Sequence, residues 1–518
     1  MKRGEIVDVF WKDIVTLRVD TVAQIALLIP FLVAIPIALL FGFSLSSPDS
    51  FFNILIMALC FGVMLLPILI RWHDMLLIAS LNMPIMVFFL PGQPQLWMLM
   101  VFVSMVMTAV SGGLSRNIDP NASSRKTKGT RGIIWSLVAI VTVVVITALS
   151  RGGIGSHAFG SDTYGARKYL PLLFGAMVFF VTSRLNIPAN RKWHVVIFYF
   201  GGYLLLCMSN LIYMAGPSFY WLFYIFPSDF ASAQAFMDNG MGIVRMSGIA
   251  FGMMGVVYVM LARYGIKGIM DMKYAWRLIV FVVVAGLSTL GGFRSLLALL
   301  AIIFIVQFYY EGLFRTYLFP VFAVIVLLIL VGTIAFIGKL PLSVQRTLSF
   351  LPVPINAAAR ESADSSTEWR FRMWKVLWDE VPNYLVLGKG YRIDPSDLAL
   401  FEWARVTNGG HFEDYEESMA VGNYHSGPFS VLLSFGIPGV LAVLFFWGAG
   451  IKMLRENLTR GSPEMRSINI TLLSCFVGRV IYFLLVFGDL SGDLPVFCGL
   501  LGVSVALNKS EMLRLETA

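Results

Sequence analysis

Apolar residues run in long unbroken blocks along most of the chain, separated by short polar joints. A helix that crosses a bilayer needs about 20 such residues, and fourteen blocks approach or reach that length: 22–43, 51–70, 75–91, 96–114, 133–149, 169–183, 194–214, 243–263, 277–292, 295–311, 318–338, 427–449, 467–488 and 492–507. The third, fifth, sixth, ninth and last are the shortest. The pattern predicts an all-α polytopic membrane protein of about 12–14 transmembrane helices. One polar insertion, 339–426, stands out as a single large extracytoplasmic loop containing short helices. Within it Trp369, Met373, Val376 and Leu377 recur at helical spacing before Pro382. The domain plan is thus a cytoplasmic or interfacial segment (1–21), helices 1–11 (22–338), the loop (339–426), helices 12–14 (427–507) and a cytoplasmic tail (508–518).

Composition agrees. Of 518 residues 58% are hydrophobic and only 13% charged, about half the charge of a soluble domain. The net charge of +9 reads as basic cytoplasmic joints and implies no nucleic acid. With the N-terminus in the cytoplasm, every second joint is rich in Lys or Arg, including Arg116–Arg131, Arg184–Lys192, Arg263–Arg277 and Lys452–Arg466. Joints 44–50, 92–95, 215–242 and 489–491 hold none. Both termini are therefore expected in the cytoplasm, with Arg151, Arg167, Lys168 and Arg294 as outward exceptions. Residues 1–20 alternate as an interfacial amphipathic helix and carry no cleavable-signal pattern. Cys60, Cys207, Cys475 and Cys498 lie in apolar blocks and read as packing residues.

Candidate chemistry gathers at the expected outer face. Arg294 follows Gly291-Gly292-Phe293 at a tight turn, Arg245 sits near the outer end of the eighth block, and Arg370 and Arg372 lie in the loop. A single arginine at a membrane edge can snorkel to headgroups, but several converging on one face suit an anion of more than one charge, because guanidinium offers a permanent fork for phosphate oxygens. His425 precedes the return to the membrane; it can serve as a structural residue or as a general base. His157 and His411 have no companions at metal-ligand spacing, Gly388-Lys389-Gly390 reads as a turn, and the acidic run from Glu413 to Glu417 as a solvated face. Arg479, inside a block, is a functional candidate or one half of a structural pair with a group such as Asp489 or a backbone carbonyl.

Three motifs in this order resemble the O-antigen ligase and O-antigen polymerase superfamily of bacterial inner-membrane glycosyltransferases, over about residues 245–450. They are the Gly-Gly-Phe-Arg294 turn (with Phe293 where the family has a small residue), Arg370-x-x-x-Trp374 followed by Leu387-Gly388-Lys389-Gly390, and His425-Ser426-x9-Gly436-x-x-Gly439. The resemblance implies an undecaprenyl diphosphate-linked glycan as donor and lipid A core or another glycan as acceptor, at the outer face of the inner membrane among its lipids. It implies Arg294 and Arg370 on the diphosphate, with Arg372 as rival to Arg370 and Arg245 as a further candidate. His425 would act on the acceptor hydroxyl. No cofactor is expected, and no metal: the first outer joint, 44–50, holds only Asp49, where metal-dependent oligosaccharyltransferases use acidic pairs. A ligase-like enzyme is the first expectation and a repeat-unit polymerase the alternative. A transporter of lipid-linked sugars, the rival from another class, would set its charges near mid-membrane.

Overall fold

The computed structural model describes residues 56, 71–88, 90, 92–114, 129–155, 165–185, 187–227, 243–393, 396 and 414–517. The expected amphipathic segment at 1–20, blocks 22–43 and 51–70, Asp49, Cys60, Arg116 to Lys128, His157, His411 and Glu413 lie outside them. The chain divides into two compact units, 1–72 and 73–518, and the described structure lies almost wholly in the second. Its regular structure is helical, with only isolated bridging such as Met86 to Gln95.

In chain order the helices are α1 (Leu96–Leu114), α2 (Thr130–Arg151), α3 (Ala166–Thr182), α4 (Lys192–Gly201), α5 (Cys207–Ala215), α6 (Ser247–Ile269), α7 (Trp276–Leu287), α8 (Arg294–Tyr310) and α9 (Leu318–Phe336). The loop carries α10 (Leu342–Thr347), α11 (Ala357–Glu380) and α12 (Asp414–Ala420), and the chain ends with α13 (Gly427–Arg460), α14 (Arg466–Leu485) and α15 (Leu490–Thr517). Among the described residues seven segments are long and apolar enough to cross a membrane, and α1, α7 and α8 provide shorter apolar helices. The protein is an all-α polytopic membrane protein.

Block 75–91 is not helical throughout. Residues 71–80 are helical, but the chain turns at 81–82 instead of continuing to 91. Pro84 lacks an N–H and pushes the residue before it out of the helical region, and Asn82 turns aside to donate to the Tyr199 carbonyl at 2.8 Å.

The bundle is built around α15, the most enclosed span, which packs along α3; α13 packs along α2 and α8 along α14. By contrast α9 is almost wholly exposed. It meets α8 through Phe304 stacked on Phe322 and through Phe308 near Phe319. Arg479 on α14 donates to Asp493 on α15 at 3.0 Å. The partner suggested by sequence was Asp489, but Asp489 instead lies 3.6 Å from Lys168 and accepts from Ser491. The reason is periodicity: Asp493 stands one helical turn inside α15 and can face α14, whereas Asp489 precedes the helix. Cys207, Cys475 and Cys498 carry free thiols, the last two buried.

Candidate active site

The turn between α7 and α8 is where the site begins. A short 3-10 helix, Ser288–Gly291, ends at Gly292 in the left-handed region (φ 69°), Phe293 is extended, and Arg294 is the first residue of α8. The left-handed step favours glycine, and it also turns the Gly291 and Gly292 carbonyls toward cations. Arg245 Nε donates to the Gly291 carbonyl at 3.1 Å, and its guanidinium lies 4.2 Å from the centre of the Phe293 ring. Phe293 is thus a cation–π platform for Arg245.

A fourth arginine completes the group. Arg346 on α10, one of nine basic residues in the loop, is buried and donates to the Gly292 carbonyl. Sequence reading did not single it out; all that marks it is that it is the lone cation of a short helix. Burial first, then the charges of Arg245, Arg294 and Arg370, lowers its guanidinium to about 9, so it remains protonated at neutral pH. Arg294 Nη2 donates to the Ala363 carbonyl and to Thr367 Oγ1, both at 2.6 Å. Arg370 Nε is shut away from solvent without a hydrogen-bond partner. Burial, opposed by Tyr482 and reinforced by Arg294, lowers this guanidinium too. Among the described residues Arg294, Arg346 and Arg370 make no ion pair.

Arg370 is presented by α11, whose first turn is capped by Asn356 accepting from the Ala358 N–H. Ala363, Thr367 and Arg370 are spaced by four and three residues and share a face. Arg372 is exposed. Met373 and Leu377, on the buried side of α11, pack with Tyr424, Phe429 and Leu433, which brings α11 against the start of α13. Trp374 Nε1 then donates to the Tyr424 carbonyl at 3.0 Å, fixing the residue before His425.

His425 adopts a positive φ of 48°, uncommon for a side-chain-bearing residue and often found at functional positions. Its ring lies edge-on to Trp369 and Phe487, at 5.0 and 5.4 Å between centroids. Nδ1 is buried and unpartnered. Burial, then Arg370, then Lys168, lowers the imidazole from its usual value near 6.5 to about 4. It is therefore neutral at pH 7, with a lone pair available.

The glycine motifs build the support. Gly436 breaks α13 with φ 66° and Pro438 follows. Pro438 has no N–H to give the Ser434 carbonyl, and Ile437 N–H turns away to the Leu385 carbonyl at 2.8 Å. The two freed carbonyls are taken by the loop: Lys389 N–H donates to Leu433 at 2.7 Å and Gly390 N–H to Ser434 at 3.1 Å. A methyl on Gly388 would fall 2.1 Å from Ser434 backbone, so only glycine allows this approach. Arg151 donates to the Gly388 and Leu387 carbonyls at 3.0 and 3.2 Å, and Lys168 to that of Gly422 at 2.7 Å. Two of the outward charge exceptions therefore anchor the loop.

Against known families, residues 275–444 match the model described as O-antigen ligase. This stretch is similar to the O-antigen ligases. The matched stretch, short of half the chain, runs from α7 past the kink of α13 and includes Arg294, Arg346, Arg370, Arg372 and His425; Arg245 precedes it. Among curated proteins no match to the chain is found. Arg294, Arg346, Arg370 and His425, from α8, α10, α11 and the segment before α13, form a chain of groups within electrostatic reach of one another, and Arg245 joins them from ahead of the matched stretch. Arg372 faces away and Arg479 belongs to the α14–α15 contact.

Proposed function

We propose that the protein transfers a glycan from undecaprenyl diphosphate to an acceptor hydroxyl at the outer face of the inner membrane. The observation that carries this reading is the four-arginine group beside a neutral histidine. Among the described residues three of those arginines lack an acidic partner, and one buried guanidinium nitrogen lacks any hydrogen-bond partner. Buried cations of this kind call for an anion, and a diphosphate supplies oxygens for several forks at once. Arg245 and Arg294 lie at the ends of apolar helices, and Arg346 and Arg370 on helices of the loop between α9 and α13, which supports transfer over transport; a transporter would set its charges near mid-membrane.

In this reading the acceptor oxygen bonds to the anomeric carbon as the bond from that carbon to the diphosphate oxygen breaks. The acceptor's proton goes to the unprotonated ring nitrogen of the neutral His425. The electron pair of the broken bond leaves on undecaprenyl diphosphate, whose growing charge is met by Arg294, Arg370 and Arg245. Guanidiniums supply the compensation that a divalent ion gives elsewhere, so the reading requires no metal. Direct displacement inverts the anomeric centre.

The test is transfer by the purified protein from undecaprenyl diphosphate-linked repeat units, in chelator, with and without lipid A core. Product on the core supports a ligase, and a ladder of longer lipid-linked chains without core supports a polymerase. Donor crossing the bilayer without transfer would overturn the reading in favour of transport.

A further inference from the structure

Arg346 uses its guanidinium differently from the arginines around it. Nε donates to Ser362 Oγ at 3.0 Å, Nη2 to the Ser362 carbonyl at 3.4 Å, and Nη1 to the Gly292 carbonyl. All three nitrogens are engaged by protein, and the residue is only 7% exposed. Arg294 reaches the next turn of the same helix, at Ala363 and Thr367. Two guanidiniums thus fasten the early turns of α11 to the turn that opens α8. Arg370 lies seven residues beyond Ala363, two helical turns along the same face.

The turn lies against two of the guanidiniums: a methyl at Gly292 would be in ordinary contact, at 3.6 Å, with both Arg245 Nε and Arg346 Nη1. A neutral side chain could bridge Gly292 and Ser362 by hydrogen bonds without adding repulsion to three neighbouring cations. A guanidinium does the bridging and adds positive charge, which destabilises the empty site and favours an occupied one.

We propose that Arg346 is a positioning residue for the anion site, holding the turn-borne Arg245 and Arg294 in register with the helix-borne Arg370 so that they face one multiply charged phosphate ligand. This rests on the donor-diphosphate reading of the cluster. Arg346 sets the geometry from behind and its charge deepens the potential; the anion's oxygens are left to the other three.

The experiment is a titration of the full-length protein in detergent with inorganic pyrophosphate, followed by thermal unfolding. Wild type is expected to be stabilised in a saturable way. Arg346→Lys keeps the charge but loses the fork, and is expected to bind pyrophosphate about tenfold more weakly or worse. Ser362→Ala removes one anchor, keeps the charge and is expected to fall between them. Arg151→Lys loosens the loop at Leu387 and Gly388, away from the cluster, and is expected to bind as wild type does. Wild-type affinity in both Arg346→Lys and Ser362→Ala would overturn the role of Arg346 and leave the donor reading standing. Should Arg346→Lys not fold, Ser362→Ala decides alone, wild-type affinity overturning the role. Equal weakening by Arg151→Lys would reduce the role to general stability and overturn it. A wild type indifferent to pyrophosphate would overturn the donor reading itself, and the role with it.

Discussion

At the scale of single residues, the base role proposed for His425 would tie transfer to pH. Its folded value, about 4, lies below the usual value near 6.5 because of burial, Arg370 and Lys168. Between those two values the unfolded chain binds a proton that the folded protein refuses, so this residue's contribution to stability is lost as pH falls from about 6.5 to about 4. The same shift places the acidic limb of kcat/KM, which reports the free enzyme, near pH 4. A bound diphosphate offsets the charge of Arg370 and releases part of the depression. The acidic limb of kcat is therefore expected at higher pH than that of kcat/KM. A kcat/KM limb at the ordinary histidine value would remove His425 from the role of base. His425→Asn tests the residue without backbone strain, since Asn tolerates positive φ. It is expected to lose about 10²–10⁴-fold in kcat, the usual worth of a general base, while keeping pyrophosphate binding.

Among elements, the broken helix α13 shows how far motif spacing can be read. The run of nine residues from Ser426 to Gly436 is visible in the chain, but its reason is not: it sets the break where the Leu433 and Ser434 carbonyls meet Lys389 and Gly390. Nothing local to Leu387-Gly388-Lys389-Gly390 reveals that partner, which is why the segment reads only as a turn. Helical periodicity did reveal α11 and most of its buried side, since Trp369, Met373 and Leu377 pack inward within one element, while Val376 is exposed. Arg346 was hidden for the opposite reason. Its significance arises from three other elements, and a single arginine in a basic loop carries no spacing signal. Gly436→Ala is expected to destabilise by about 1–3 kcal/mol, the strain of a side chain in a glycine-only conformation, with a further clash at the Leu385 carbonyl, 2.7 Å from the added methyl. Activity should fall more steeply than stability, because the kink supports the loop that carries α11. Thermal unfolding beside transfer rate measures both; equal loss in the two would mean that the break serves packing alone.

For the whole molecule, hydropathy reveals the membrane plan wherever one helix crosses in one stretch, and fails at 75–91, where Pro84 ends the helix that apolarity alone would continue. It is also blind to which intramembrane charges pair. Arg479 and Asp493 join α14 to α15, the enclosed helix around which the bundle packs, so this pair is expected to support the fold and not the transfer. Removing one member strands the other in a poorly solvated place, at about 3–5 kcal/mol, whereas an apolar pair of similar volume can be nearly neutral. Arg479→Met alone is thus expected to destabilise the protein strongly. The double variant Arg479→Met with Asp493→Leu is expected to regain most of that stability and to retain transfer. Unfolding and transfer measured on the single and double variants separate the two roles. A double variant that folds as wild type does yet transfers nothing would make the pair part of the reaction, and would extend the working site from the arginine turn into the centre of the bundle.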